Sequence, residues 1–464
     1  MEKNKLKRGH DIELNISDLA FGGRGIAKVD DLIFFVKDAI PNQKIIAKIT
    51  KNKKNYIEAY KVDVLDNSKD EIKPECDHFQ YCGGCTTQQL NYKKQLYYKE
   101  KQVFGLFKKI SGIQNPTINS IIGCDKIYFY RNKMEFTFSG NPWYIGDESY
   151  EDIIIGLHVP KRFDKILSIN FCHINYEIFN EIINVVKQIS NKEELKPYNV
   201  IKHTGFLRYL VLRAGVNTGE IMVNIVTSGY KPKLLQPIIN ELTKSFTKIN
   251  SIVNTINADK NNTAKGSTKL LFGKECIHEK IDNYSFKISP NSFFQTNSYQ
   301  VKNLYDYIIK AGEFKQTDVV YDLYCGTGSI GIYISKLVKK VYGVEIIKEA
   351  IKDAQYNAKL NKIYNIEFYS DDLKDFFSRP STEIYKPDIV ILDPPRPGLH
   401  PNVIDQINTL NPRKIIYVSC NPATQARDIK KFADYSYTIK DIQPLDMFPH
   451  TPHIECIVTL INKD

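Results

Sequence analysis

Val319-Val320-Tyr321-Asp322-Leu323-Tyr324-Cys325-Gly326-Thr327-Gly328-Ser329 is an apolar run that breaks into a glycine turn. Its first five residues are β-branched, aromatic or aliphatic around one aspartate, the composition of a buried strand. The glycines let the backbone approach a ligand closely, and the turn opens a helix. From Asp318 onward, strand patterns at 319–323, 340–344, 366–369, 389–392 and 415–418 alternate with helical patterns. That alternation reads as α/β: a Rossmann-like, doubly wound, mostly parallel sheet.

With Gly331 the turn matches G-x-G-x-x-G, so a dinucleotide must be weighed against S-adenosylmethionine. Glu345 ends the next strand, where an acidic side chain accepts hydrogen bonds from ribose hydroxyls of either ligand. Asp322, four residues before the first glycine, suits a ligand with a cationic amine better than a pyrophosphate. Strand 389–392 runs into Asp393-Pro394-Pro395-Arg396-Pro397-Gly398. A rigid Asp-Pro-Pro turn at a strand tip is typical of nucleic-acid methyltransferases. Those acting on amines carry an aromatic after the prolines, and Arg396 stands there instead. A stiff turn without further role is the alternative.

The strand at 415–418 delivers Ser419-Cys420-Asn421-Pro422, a thiol at a strand end. Pro452-His453-Ile454-Glu455 then sets a carboxylate before the apolar run 456–461. A thiol and a carboxylate so placed are the parts for covalent catalysis with a proton acceptor. A small buried hydrophobe is the other reading of a cysteine there.

The rest of the 464 residues sets the context, with 42% hydrophobic content and a formal net charge of +11. The charge favours a polyanionic partner, although abundant Lys, Asn, Ile and Tyr give such a charge without one. No apolar run is long enough to span a bilayer and residues 1–11 are polar, so a cytoplasmic location and no membrane contact are expected. Five short strand patterns at 12–16, 25–29, 32–36, 44–49 and 57–64 predict an OB-like β-barrel over residues 1–66. The basic stretch 48–54 is placed on one of its loops, a nucleic-acid contact or a solvated loop. Residues 67–288 read as a cysteine segment and a central α+β domain, with helices near 176–189 and 233–246. Residues 254–268 read as an Asn-rich loop or hairpin tip. Residues 289–464 form the last domain, against which the helical stretch 92–120 is expected to pack.

Three of the nine cysteines cluster as Cys76, Cys82 and Cys85, the last two separated by Gly83-Gly84. Three thiolates need a fourth ligand for tetrahedral zinc or a four-iron cluster, and Cys124 and Cys172 are the candidates. Spacing does not separate the two metals, and unliganded thiols are the alternative.

Together these pieces resemble the RumA-like bacterial uracil-5-methyltransferases of ribosomal and transfer RNA, over nearly the whole chain. The resemblance implies a TRAM-type barrel and a [4Fe-4S] cluster on Cys76, Cys82, Cys85 and Cys172, with Cys124 as fallback. It implies S-adenosylmethionine bound by Gln295, in the Phe293-Phe294-Gln295 signature, and by Tyr324, Glu345, Asp372 and Asp393. It implies Cys420 as nucleophile and Glu455 as general base. Arg131, Lys133 and Phe293 are implied in RNA binding, with 23S ribosomal RNA favoured over transfer RNA. A monomer without an obligate protein partner is expected. The rivals are an NAD-dependent iron–sulfur oxidoreductase, disfavoured by the Asp-Pro-Pro turn and Ser-Cys-Asn-Pro, and an RNA-binding factor without catalysis, disfavoured by intact Cys420 and Glu455.

Overall fold

Alternation of apolar and polar side chains coils the N-terminal strands around one core. In the computed structural model, which describes residues 6–145, 152–379 and 385–463, these strands are β1 (Asp11–Asn15), β2 (Asp18–Leu19), β3 (Gly25–Val29), β4 (Leu32–Lys37), β5 (Lys44–Asn52) and β6 (Ile57–Asp66). They form one sheet in the order β1-β5-β6-β4-β3-β2. Strand β5 shows the rule, turning Ile45, Ala47 and Ile49 inward and its lysines outward. They pack with Leu14, Phe34, Val36, Ile57 and Ala59. Gly25 is required by space, since a Cβ there would lie 2.9 Å from both the Ala39 carbonyl and the Ile16 side chain. The basic stretch 48–54 is mostly not a loop, because β5 continues to Asn52. Thr50 Oγ1 donates to the Glu58 carbonyl and Lys51 pairs with Glu58, so the ladder outlasts the apolar pattern.

The barrel belongs to a unit made of Met1–Gly123, Ser419–Lys430 and Asp441–Ile457. Its helix α1 (Tyr92–Leu106) is capped by Asn91, whose side chain accepts from Lys94 N, and ends in a π turn over Phe107–Ser111. One face of α1 holds the 441–457 segment. Lys99 Nζ donates to Asp446 Oδ1 at 2.6 Å and to the Phe448 carbonyl. Tyr92 donates to Asp446 Oδ2, and Gln95 bonds His450. Residues 118 and 122 form parallel bridges to Ile442 and Leu445.

The second unit comprises Cys124–Val418, Lys431–Lys440 and Val458–Asp464. Its first sheet contains β7 (Lys133–Ser139), β8 (Ile154–His158), β9 (Ile166–Ser168), β10 (Leu207–Gly215), β11 (Glu220–Thr227), β12 (Ile249–Ile256) and β13 (Ser267–Gly273). The order is β13-β12-β11-β10-β7-β8-β9. Helices α2 (Phe179–Lys192) and α3 (Pro232–Ser245) pack on it through Ile182, Ile183, Val186, Leu235, Ile238 and Leu242. The Asn-rich stretch is the β12–β13 connection.

A hairpin follows, β14 (Ile277–Ile281) and β15 (Tyr284–Ile288), then α4 (Ser298–Gly312). The parallel sheet is built of β16 (Val319–Leu323), β17 (Lys340–Val344), β18 (Ile366–Tyr369), β19 (Ile389–Leu392) and β20 (Lys414–Ser419). Between them lie α5 (Ser329–Ile334), α6 (Lys348–Leu360), α7 (Leu373–Phe377) and α8 (Pro401–Leu410), with α9 (Pro422–Ala433) after β20. Two late strands, β21 (Tyr437–Leu445) and β22 (Glu455–Asn462), complete the order β18-β17-β16-β19-β20-β22-β21. Strand β21 has no counterpart in the sequence reading. Asn357 and Asn361, one turn apart at the end of α6, bond the backbone of β15 at Lys287 and Ser285 and so close its edge.

Candidate active site

Register fixes what leaves the parallel sheet together. Leu323 pairs with Val344 and with Leu392, so Tyr324, Glu345 and Asp393 emerge at one edge of three adjacent strands. Tyr324 takes φ 63°, which turns the chain sharply, and Gly326 and Gly328 follow at φ 55° and 76°. A Cβ on Gly328 would strike the Phe368 ring at 2.7 Å, whereas Gly326 faces open space. One glycine therefore serves packing, and the other leaves a cradle. Glu345 spans the turn, accepting from Gly326 N at 3.3 Å and from Ile347 N at 3.0 Å.

Beneath the turn lies Asp322, fully buried. Its Oδ2 accepts from Gly331 N at 2.8 Å, and its Oδ1 has no hydrogen-bond partner among the described residues. Burial pushes its carboxyl up to about 7. Asp393 is partly exposed yet ringed by protein, and burial likewise pushes it up to about 7. Two carboxylates kept from charging easily, one with an orphaned oxygen, fit a ligand that brings positive charge. A sulfonium ligand with an α-amine meets that need, and a pyrophosphate does not. Asp372 differs from the others: it is exposed and caps α7, its Oδ1 accepting from Lys374 N at 3.1 Å. Gln295 lies in the segment before α4, its carbonyl held by Asn132 Nδ2. Phe293, 64% exposed, stands out beside buried Phe294.

Cys420 begins the turn after β20 and is partly exposed. The Ser-Cys-Asn-Pro sequence builds that turn. Asn421 N donates to Ser419 Oγ, Asn421 Oδ1 accepts from Ala423 N, and Gln425 N donates to the Asn421 carbonyl. Pro422 then occupies the first helical position, where no backbone N–H is needed. Glu455 is buried and opens β22, in the same unit as Cys420. Its neighbour Cys456 is sealed in, and Gln425 Nε2 donates to the Cys456 carbonyl. Burial, aided by nearby carboxylates, pushes the thiols of Cys456 and Cys325 well above their ordinary value, which disfavours both as nucleophiles.

Among the described residues no group of three or more His, Cys, Asp or Glu side chains is placed to hold a metal ion. The Cys76–Cys82 stretch folds into its own turns, with Phe79 N bonded to the Cys76 carbonyl and Cys82 N to the His78 carbonyl. Gly84 N donates to Cys82 Sγ at 3.3 Å. Cys172 lies in the other unit, its amide held by Asn180 Oδ1 and its thiol pushed up by burial. Cys124, the fallback, is also buried there and accepts from Asn297 Nδ2. No chemical step is routed through a cluster.

Of the RNA candidates, Arg131 donates through Nε to the Lys133 carbonyl, and Lys133 Nζ pairs with Glu135 at 2.6 Å. Sequence reasoning missed how Lys133 and Glu135 gather with Arg213 and Asn224. A lone asparagine in the apolar strand Glu220–Thr227 was the available signal.

A family model described as tRNA (Uracil-5-)-methyltransferase matches residues 237–463. An uncharacterized RNA methyltransferase of Bacteroides thetaiotaomicron is 39% identical over 453 residues, spanning 95% of this chain and 99% of the relative. The chain belongs to the tRNA (uracil-5-)-methyltransferase family. An uncharacterized RNA methyltransferase of Chlorobaculum tepidum is 36% identical, with 98% and 96% covered. Among solved structures, the Pyrococcus abyssi tRNA (uracil-54, C5)-methyltransferase in complex with S-adenosyl-L-homocysteine matches with a TM-score of 0.76 and 31% identity. That match covers 97% of this chain and all of the other. Like its family, the chain is an RNA methyltransferase that uses S-adenosylmethionine. No helix among the described residues is long and apolar enough to cross a membrane.

Proposed function

We propose that this methyltransferase transfers a methyl group to C5 of a uridine in RNA through a covalent adduct on Cys420. The observation that carries the reading is the partly exposed thiol on a capped strand-to-helix turn, set against two thiols that burial silences. Bound S-adenosylmethionine supplies an electrophilic methyl, held by Gln295, Tyr324, Glu345 and Asp393, with Asp372 reaching it only if its capping bond opens.

Cys420 Sγ adds to C6 of the uracil, and the C5–C6 π electrons pass into the C4 carbonyl as an enolate. The enolate C5 takes the methyl group, leaving S-adenosylhomocysteine. Glu455 then removes the C5 proton, the C5–C6 double bond re-forms, and the thiolate leaves. The base must be out of its stack for this to occur, and Phe293 offers a ring to stack on it. Arg131 and Lys133 hold backbone phosphates.

The favoured substrate is 23S ribosomal RNA, supported by the resemblance of the barrel and cysteine segment. Transfer RNA is the second reading, and the Pyrococcus abyssi tRNA (uracil-54, C5)-methyltransferase, aligned along its whole length, supports it. A [4Fe-4S] cluster on Cys76, Cys82, Cys85 and Cys172 rests on spacing and resemblance alone, and iron and acid-labile sulfide in anaerobically purified protein test it. A cytoplasmic monomer suffices for the reaction.

The test uses ribosomal and transfer RNA carrying tritium at uracil C5. Methylation at C5 releases tritium to water in proportion to methyl transferred. In Glu455→Gln the methyl transfers but the proton stays, so a slow RNA–protein band accumulates on denaturing gels and disappears when Cys420 is also replaced by Ala. Methyl transfer without tritium release in the wild type overturns the C5 assignment. Release with no adduct in Glu455→Gln overturns the role of Glu455.

A further inference from the structure

Helices α2 and α3 pack on the central sheet, which also carries a cleft. Register shows which side chains lie side by side there. Lys133 lies opposite Arg213, and Val211 lies between Glu135 and Asn224 on its two neighbouring strands. The cleft is about 250 Å³. Its rim comes from residues 262–265 of the β12–β13 connection and from Pro290 and Asn291. Arg208 anchors the connection, bonding the carbonyls of Asn257 and Asp259, and Asn291 bonds the Gly266 carbonyl.

Two residues that line it each carry a buried polar atom without a hydrogen-bond partner among the described residues. Arg213 is 3% exposed; its Nη2 donates to the Ser292 carbonyl, while its Nε has no hydrogen-bond partner among the described residues. Asn224 is 1% exposed and its Oδ1 accepts from nothing among the described residues. A buried polar atom left unpaired costs about 1–3 kcal/mol, so two in one cleft call for a ligand that completes them. The donor is cationic, and Lys133 and Lys265 add positive charge against Glu135 alone. An anion is wanted there. The acceptor wants an N–H or O–H, and Val211, Ala264 and Pro290 supply apolar surface between the two. A nucleotide of the substrate RNA combines an anion, an apolar face and a hydrogen-bond donor.

We propose that this cleft binds one nucleotide of the substrate RNA other than the methylated uridine, its phosphate against Arg213, Lys133 and Lys265 and its base or ribose donating to Asn224 Oδ1. None of the residues assigned to the methyl donor lines the cleft. The inference rests on the RNA-methylating reading above and gives that enzyme a second point of sequence or register control.

The test compares the wild-type enzyme with Asn224→Leu and Lys265→Ala by methyl transfer and by melting. Leucine matches asparagine in shape and removes an unpartnered acceptor, so Asn224→Leu melts no lower than wild type. Both variants raise KM for RNA by about tenfold, the usual weight of one lost hydrogen bond or phosphate contact. Their kcat at saturating RNA and their affinity for S-adenosylmethionine stay at wild-type values. Lys265 is exposed, so its variant carries the test even if Asn224→Leu does not fold. Wild-type KM in the folded variants overturns the cleft assignment while leaving C5 methylation intact, whereas an inactive wild type overturns the underlying reading instead. In parallel, 5′-mononucleotides are titrated against Asn224→Leu and wild type, with inorganic phosphate as control. Phosphate binding as tight as nucleotide binding overturns the proposal in favour of a simple anion site.

Discussion

Around α1 the chain buries Lys99 together with Asp446, whereas at the ends of β16 and β19 it buries Asp322 and holds Asp393 among protein atoms with no ion-pair partner among the described residues. In the first region the buried ion pair is answered from within: Asp446 receives Lys99, Tyr92 and the Phe448 amide. In the second, one carboxylate oxygen has no partner and two carboxyls are pushed up to about 7. Charge answered from within serves the fold, and charge left waiting serves a ligand.

The contrast can be broken most forcefully from the structural side. Lys99→Met leaves Asp446 buried without its cation and should cost about 3 kcal/mol of stability, a typical penalty for breaking a buried pair. Urea unfolding followed by circular dichroism reads it, and S-adenosylmethionine affinity measured below the transition should not move. An unchanged urea midpoint would show the pair to be ornamental.

Asp393→Asn should do the reverse. The ligand-free protein keeps or gains thermal stability, while S-adenosylmethionine binds roughly 10- to 100-fold more weakly, the weight of one charge-assisted contact. Titration calorimetry against S-adenosylmethionine decides; wild-type affinity would remove Asp393 from the site.

The two regions should also answer pH with opposite signs. Asp322 and Asp393 have folded values near 7, above the ordinary 3.8, so their protonated forms favour the fold. That contribution is full below about 4 and is lost as pH rises to 7. His450, beside α1, is lowered from 6.5 to about 4 by burial and by Lys99. Its contribution is full above 6.5 and is lost as pH falls toward 4. Each slope amounts to something on the order of 2 kcal/mol. His450→Asn should therefore steepen the rise in stability on going from pH 7 to pH 5, and Asp393→Asn, which leaves Asp322 opposed by His450, should flatten it. Identical slopes in the two variants would sink the assignment.

The smallest effect sharpens the same contrast in thiols. Cys456→Ala should lower stability by about 1 kcal/mol through a small void and leave tritium release intact. Loss of release in that folded variant would mean that the reactive thiol is not Cys420.

Legibility in the sequence followed the range of the interactions. The strands 319–323, 340–344, 366–369 and 389–392 match the structure end to end: the inner ones, buried on both faces, are apolar runs cut off by local turn residues, and the edge strand 366–369 is short and flanked by polar residues. Cys420 and Glu455 were legible for the same reason, each sitting where such a run starts or stops. The pairing of Lys99 with Asp446 was not, since nothing local marks two charges that meet across most of the chain. Strand β5 outran its apolar pattern because Glu58 gives Lys51 a partner that composition does not show. Arg213 and Asn224 became a cleft only once register set their strands side by side.

The bond between Lys99 and Asp446 has a consequence in time. The two residues are 347 positions apart. At about 5–20 residues per second, a ribosome needs roughly 20–70 s to make the second after the first. Through that interval α1 waits with the face meant for 441–457 uncovered. For as long as synthesis lasts, that face is open to chaperones and proteases, so slowing elongation after residue 99 should lower the yield of this enzyme more than slowing it before.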